Sequence, residues 1–177
     1  VPGTFSIVRT EFQRAIFQGP AQPSITITRS GMIGPQDVFV FTVTSLLDFN
    51  NTSPEDLEAE LTQLYADVFD PDEESISDLR VNPSPLLNEA NYTRNADGTI
   101  TIDLPWIAVA FYGPSRVGVN VLDVNYYDFL RTRQAQQAGR PGEIPNVLDR
   151  VEGGTGLFGS VARVTSDVEI LRPDASR

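Results

Sequence analysis

The chain has 177 residues and a formal net charge of −11, contains neither Cys nor His, and has Arg at all 13 of its basic positions. These absences exclude disulfides, thiolate and imidazole metal sites, His-activated nucleophiles, Schiff-base lysines and the P-loop lysine. The negative charge argues against nucleic acid, because duplex binding needs clustered basic residues to replace counterions. We therefore expect a non-catalytic protein with no metal, no cofactor and no nucleic acid partner.

The negative charge is concentrated in residues 53–78. This segment holds ten of the 24 acidic residues and no Arg, whereas the remainder holds 14 acids and 13 Arg and is almost neutral. We expect this acidic segment to be an exposed excursion that meets an Arg- or Lys-rich protein partner. Its candidate contact residues are Glu55, Glu58 and Glu60.

Most of the chain has the residue pattern of β-strands. Alternating or continuous apolar runs predict strands over residues 4–12, 24–28, 38–43, 99–104, 106–112, 117–122 and 160–170. The run over 38–43 is apolar on both faces, which is typical of a central strand covered from two sides. The turn signal over 95–98 leads into the strand at 99–104.

Two helices interrupt the strands. Ser53 followed by Pro54 and two acids is a helix start, and Leu57, Leu61, Leu64, Tyr65 and Val68 recur at helical spacing, so a helix is predicted over about 53–69 with this stripe facing inward. A second helix is predicted over about 125–138, ended by Gly139. Together these elements predict one domain over 1–177, mainly β, built as an antiparallel β-sandwich of about eight strands with two helical insertions.

Three motifs suggest chemistry, and each has a simpler explanation. Residues 154–159 match the G-x-G-x-x-G spacing of dinucleotide sites, but the residues that follow are strand-like, so we expect neither NAD nor FAD to bind. The acids over 70–78 fail the EF-hand pattern and are expected to form a solvated loop, with a weak Ca²⁺ site as the alternative. Asp103 beside Trp106 is the one carboxylate next to an aromatic platform for a sugar, a coincidence that 24 acids make common.

The second helix carries the other interaction candidate. Tyr126 and Tyr127 lie near Arg131 and Arg133, and Tyr and Arg are enriched in the residues that dominate protein interfaces. The alternative is that Tyr127 and Leu130 face the core while the Arg side chains are solvated. We predict a second partner-binding patch here.

Residues 123–130, with their paired Tyr, and residues 151–160, with a Gly-Gly-x-Gly-x-Phe-Gly segment, resemble an uncharacterised family of exported bacterial lipoproteins. The resemblance covers residues 120–165. It implies an extracytoplasmic, periplasmic β-rich protein and transfers no catalytic residue. The family's lipid-anchoring Cys is not in this sequence. Because the chain begins at Val1 and its only Met is Met32, we expect that a leader was removed or that the sequence is part of a longer chain.

Three functions remain open at this stage. The first is a structural or interaction subunit docked on the extracytoplasmic face of a larger, membrane-associated complex. The second is a carbohydrate-binding or carbohydrate-hydrolysing β-sandwich that uses Trp106, Tyr112 and carboxylates. The third is a jelly-roll shell or appendage protein. The helical insertions, the acidic segment and the C-terminal resemblance favour the first.

Overall fold

The computed structural model describes residues 6–10, 14–28, 38–87, 89–138 and 159–173. Within them the chain is mainly β, with nine strands and three α-helices. The strands are β1 (Ile7–Thr10), β2 (Arg14–Ile16), β3 (Ser24–Ile27), β4 (Phe39–Ser45), β5 (Val81–Pro83), β6 (Tyr92–Arg94), β7 (Ile100–Asp103), β8 (Gly113–Leu122) and β9 (Val161–Leu171). The helices are α1 (Pro54–Glu58), α2 (Gln63–Ala66) and α3 (Val124–Ala138), with 3-10 turns at Ile76–Arg80, Glu89–Asn91 and Trp106–Ala108.

The strands form two sheets. The four-stranded sheet has the order β1-β3-β7-β6 and is antiparallel throughout. The five-stranded sheet has the order β2-β9-β8-β4-β5, in which β2 runs parallel to β9. The prediction of wholly antiparallel pairing is therefore wrong at this edge. The strand predicted over 4–12 is confirmed where the structure describes it, as β1, and β2 lies beyond its predicted end in the other sheet.

The buried faces of both sheets contribute to one hydrophobic cluster. Its members include Ile25, Ile27, Ile100 and Ile102 from the four-stranded sheet and Phe39, Phe41, Val117, Val119, Val121 and Ile170 from the five-stranded sheet. The strand β4 is buried on its other side as well, because Val40 lines a cavity together with Leu122 of β8 and Tyr126 and Leu130 of α3. This confirms that residues 38–43 form a central strand covered from two sides.

The helix predicted over 53–69 is wrong as a single element. The chain makes two short helices instead, and between them Leu61 forms an isolated bridge with Phe111. Two hydrogen bonds accompany this bridge, from Thr62 N to Ala110 O at 2.7 Å and from Tyr112 N to Glu60 O at 2.8 Å. Backbone pairing with a distant segment therefore replaces the helical bonds that would have joined α1 to α2.

Two further predictions are wrong because of the same pairing: the inward-facing stripe of the first helix and the strand over 106–112. Leu57 and Leu61 are buried with Ile76 and Phe111 in a second hydrophobic cluster. In contrast, Leu64 is 40% exposed and Val68 is 73% exposed. The segment 106–112 is a 3-10 turn at Trp106–Ala108 followed by the bridge at Phe111, and β8 begins immediately afterwards.

Three other predictions are confirmed. The predicted second helix is α3, the strand predicted over 160–170 is β9, and the strand predicted over 99–104 is β7. The turn before β7 has Gly98 at φ +84°, a backbone conformation that favours glycine. The amide of Gly98 donates to Asn95 O at 3.0 Å, which closes the turn.

The different burial of Leu57 and Leu64 allows a direct test of the two short helices. Leu57→Ala should lower the free energy of unfolding by about 2–4 kcal/mol, because it leaves a cavity in the second cluster. The matched variant Leu64→Ala should change it by less than about 1 kcal/mol, because Leu64 is already partly in water. Urea denaturation of both variants measures the difference. Equal losses would mean that one continuous amphipathic helix forms in solution.

Candidate interaction sites

Helix α1 places its acidic residues in solvent. Ser53 caps the helix, accepting from the Asp56 amide at 3.2 Å, and its hydroxyl donates to the Asp56 carboxylate at 2.9 Å. Glu55 and Glu58 are exposed, while Leu57 alone points into the second cluster. The favourable position of acids near a helix N-terminus explains why this charge is tolerated at the start of α1.

Glu60 differs from the other two predicted contact residues. Its carboxylate accepts from Arg172 Nη2 at 2.8 Å, and the same nitrogen donates to Ala59 O at 2.7 Å. The Arg172 guanidinium also lies over the ring of Tyr112, 4.6 Å from its centroid. The charge of Glu60 is therefore matched within the chain, so Glu55 and Glu58 are the better candidates for meeting a partner.

Glu58 belongs to a shallow acidic hollow of about 510 Å³. Phe69 and Ile76 form its apolar part, and its carboxylates come from Glu58, Asp72, Glu73, Glu74 and Asp78. Within the described residues no group of three or more acids is placed to hold a metal ion. A hollow with an apolar floor and several carboxylates fits the stem and head of a Lys or Arg side chain, because such side chains lay their methylene groups on apolar surface.

The α2 region and the 3-10 turn that it contacts carry exposed apolar residues. Tyr65 of α2 donates its hydroxyl to Ile107 O at 2.7 Å, which holds α2 against the 3-10 turn at Trp106–Ala108. Ile107 is 58% exposed, and Leu64 and Val68 of the α2 region are exposed as well. Apolar surface bordered by charge is typical of protein contact sites. Sequence reasoning missed this feature because it assigned Leu64 and Val68 to the interior.

The predicted patch on α3 is partly engaged within the chain. Arg131 lies over the ring of Tyr127, 5.6 Å from its centroid, and approaches the Asp128 carboxylate at 3.9 Å. Tyr126 and Tyr127 are half-buried, whereas Arg131 is exposed. The side chain of Arg133 lies outside the described residues. The structure thus brings Tyr127 and Arg131 together and directs Tyr126 toward the cavity against β4 and β8.

Asp123 joins the start of α3 to the start of β9. Its carboxylate accepts from the Tyr126 amide at 2.8 Å and from the Ser160 amide and hydroxyl at 2.6 and 2.8 Å. Burial raises the pKa of Asp123, but these hydrogen bonds outweigh burial and bring it below its ordinary value. Gly159 is required next to this junction, because an added Cβ would lie 2.8 Å from Tyr126 Cβ.

The dinucleotide motif ends at this junction. Residues 154–158 lie outside the described residues, so the structure describes only Gly159 of the six. Strand β9 begins at Val161, so the residues after the motif do not form the helix whose N-terminus would face a pyrophosphate. The strand-like interpretation of these residues is confirmed.

The aromatic residues suggested for sugar binding contact other rings of the chain. Phe17 packs edge-on against Trp106 at 5.1 Å and against Tyr112 at 5.7 Å between ring centroids. Tyr112 is buried, with Arg172 over its ring. Asp103 is exposed at the end of β7. These contacts give Trp106 and Tyr112 a packing role, and Tyr112 is buried.

One functional candidate was not predicted. A cavity of about 550 Å³ lies between the outer face of the five-stranded sheet and α3, with Asn120 and Arg163 among its lining residues. The sequence signal was Asn120, a polar residue in the otherwise apolar run Val117–Leu122 of β8. A buried amide in such a run has to be hydrogen-bonded, and its partners are polar groups of the same sheet.

No protein-family model, curated protein or solved structure significantly matches this chain. The lipoprotein resemblance over 120–165 stays a prediction. No helix among the described residues is both long enough and apolar enough to cross a bilayer.

The Asp123 junction predicts a pH-dependent loss of stability. Asp123→Ala should cost about 1–2 kcal/mol at neutral pH, because it removes a helix cap and the acceptor for Ser160. Since the pKa of Asp123 is lowered in the folded state, its contribution is complete above the unfolded value of about 3.9 and disappears as pH falls through the folded value. Urea denaturation at stepped pH should therefore show the variant and the wild type converging below about pH 4. A stability gap between Asp123→Ala and the wild type that stays constant as pH falls would contradict the assignment.

Proposed function

We propose that the chain is a non-catalytic interaction or structural subunit that docks on the extracytoplasmic, periplasmic face of a larger, membrane-associated complex. The observation that carries the proposal is the surface formed by residues 53–78. There, exposed acidic residues line the hollow together with Phe69 and Ile76, and Leu64 and Val68 of the same segment are exposed. Such a surface suits a partner that offers basic side chains around an apolar contact.

The order of the strands supports a β-sandwich of the immunoglobulin type. If β1 and β2 are counted as two halves of strand A, the four-stranded sheet has the order A-B-E-D. The other sheet then has the order A-G-F-C-C′. The shared cluster of buried residues supports face-to-face packing of the two sheets. Sandwiches of this type are common in cell-surface domains, and by fold analogy this favours an extracytoplasmic binding role.

The titratable groups also favour a non-catalytic role. A general base near neutral pH would need a carboxyl pKa raised by burial or an activated Tyr, since the chain has no His, Cys or Lys. Among the described residues, every carboxyl group with a shifted pKa has a pKa below its ordinary value. Hydrogen bonds lower the pKa in each case, mainly from Asn51 to Asp48, from Thr99 to Asp97 and from Arg116 to Asp167. For Asp123, hydrogen bonds outweigh the effect of burial. Burial raises the pKa of Tyr65, which opposes formation of a tyrosinate base.

The docking surface predicts a charge-specific effect. Glu58→Gln with Glu74→Gln should slow association with the partner roughly tenfold at low salt, because exposed charges act mainly on the association rate. The double variant Asp103→Asn with Glu169→Gln removes the same charge away from the hollow and should have a much smaller effect. The partner is captured from detergent-solubilised membranes and its binding is then measured by surface plasmon resonance at low and high salt. Equal slowing by both double variants would leave only a general charge effect and contradict the assigned surface.

The role in a complex has a separate test. Deletion of the chain should reduce the amount of intact complex on native gels while the catalytic activity of the partners persists. Fractionation of the cells should place the chain with the periplasmic or membrane material. Loss of the partners' reaction at normal complex levels would instead indicate that the chain takes part in the chemistry.

A further inference from the structure

Arg163 of β9 is held in a fixed orientation by neutral groups. Its Nε donates to Asn120 Oδ1 at 2.6 Å, and its Nη2 approaches Thr42 Oγ1 at 3.3 Å. Asn120 is itself fixed, because it is only 4% exposed and donates its amide to Val40 O at 2.7 Å and to Thr42 Oγ1 at 2.8 Å. The guanidinium is therefore pre-oriented by a buried amide on the neighbouring strand.

The surroundings of Arg163 differ from those of the other arginines whose side chains the structure describes. Four of them form ion pairs with carboxylates: Arg14, Arg116, Arg131 and Arg172. The guanidinium groups of Arg80 and Arg94 lie over aromatic rings. Among the described residues, Arg163 has no carboxylate partner and no Asp or Glu lines its cavity. Although the chain has a net charge of −11, the described lining of this cavity thus contains a cation and no carboxylate.

The rest of the cavity is largely apolar. Its apolar walls are formed by Val40, Pro83, Leu86, Leu122, Tyr126, Leu130 and Val161, and its polar groups are those of Thr42, Ser84, Asn120 and Arg163. A volume of about 550 Å³ lies within the usual range for small-molecule sites, which combine apolar walls with a few placed polar groups. With Nε donating to Asn120 and one N–H of Nη2 donating to Thr42, the second N–H of Nη2 and those of Nη1 can serve the two oxygens of a carboxylate.

We propose that this cavity binds an amphiphilic carboxylate of the medium-chain fatty acid class. The carboxylate pairs with Arg163, and the aliphatic chain lies against the walls formed by β4, β8 and α3. A singly charged head fits one cation better than a phosphate dianion does in a strongly acidic protein. The site is separate from the acidic surface at 53–78 and does not depend on the function proposed for that surface.

The first test is calorimetric titration of the whole chain with decanoate below its micellar concentration. Wild-type protein should bind one equivalent saturably, and Arg163→Gln should weaken binding roughly ten- to hundredfold, because it removes a charge-assisted contact. Arg116→Gln, which breaks an exposed ion pair on the same sheet, should leave the affinity unchanged. Decanol should bind more weakly than decanoate and be insensitive to Arg163→Gln.

A second pair of variants keeps Arg163 in place. Val161 is 44% exposed and lies two residues before Arg163 on the same face of β9, so a side chain at position 161 is able to reach the guanidinium. Val161→Glu should supply the missing acid and abolish decanoate binding, whereas Val161→Gln should retain most of it. Urea denaturation checks that each variant is folded. Absence of saturable binding to the wild type, or equal binding to wild type, Arg163→Gln and Val161→Glu, would overturn the proposal.

Discussion

The antiparallel pairing of β8 with β9 positions most of the features that give this protein its chemistry. The ladder runs from Gly113 opposite Ile170 to Leu122 opposite Val161. Its register places Arg116 opposite Asp167 and Asn120 opposite Arg163, so an ion pair and the fixed guanidinium are both cross-strand contacts. A shift of one residue would move every side chain to the other face of the sheet, which would send Val117, Val119 and Val121 into solvent. The core therefore fixes the register, and the register fixes the cavity.

The same ladder determines where α3 begins. Just beyond its end, the Asp123 amide donates to Ser160 O, and the Asp123 carboxylate accepts from Ser160 and from the first turn of the helix. The cap of α3 is thus also a continuation of the sheet. Because α3 starts from this point, Tyr126 and Leu130 reach the outer face of the five-stranded sheet and bury Val40 and Leu122 from the second side. An apolar face that would otherwise meet water becomes a covered cavity.

Local patterns predicted the parts of the fold that depend on local structure. Burial sets the spacing of apolar residues along one element, so the sequence predicts such elements. Examples are the strand over 99–104, the two-sided strand over 38–43 and the helix over 125–138. The parallel pairing of β2 with β9 could not be predicted from local patterns, because the two strands lie at opposite ends of the chain. The prediction of a single helix over 53–69 is wrong for a related reason. Leu57 and Leu61 have helical spacing, yet the bridge from Leu61 to Phe111 gives the intervening backbone partners that no local pattern reveals.

The candidate sites were predictable to the extent that composition specifies them. Ten acids between residues 53 and 78 identify a charged surface without any structure. The pairing of Glu60 with Arg172 is not visible in the sequence, because 112 positions separate the two residues. The role proposed for Arg163 is likewise not visible in the sequence. Nothing in its local sequence distinguishes it from Arg116, which lies on the same sheet and pairs with Asp167. The difference arises from the residue opposite each arginine, an amide in one case and a carboxylate in the other.

The overall charge of −11 does not prevent a local cation from recruiting an anion. In water at physiological ionic strength, exposed charges are screened beyond about 8 Å. The acids of residues 53–78 are mostly solvated, so their repulsion of an anion elsewhere is weakened by salt. The proposed contact of Arg163 acts over a hydrogen-bond distance, well inside this screening length, and the buried Asn120 holds the guanidinium in place. The acids are concentrated in one exposed segment, and Arg163 lies at a largely apolar cavity with no carboxylate partner among the described residues. The two proposed sites can therefore prefer ligands of opposite charge on one small chain.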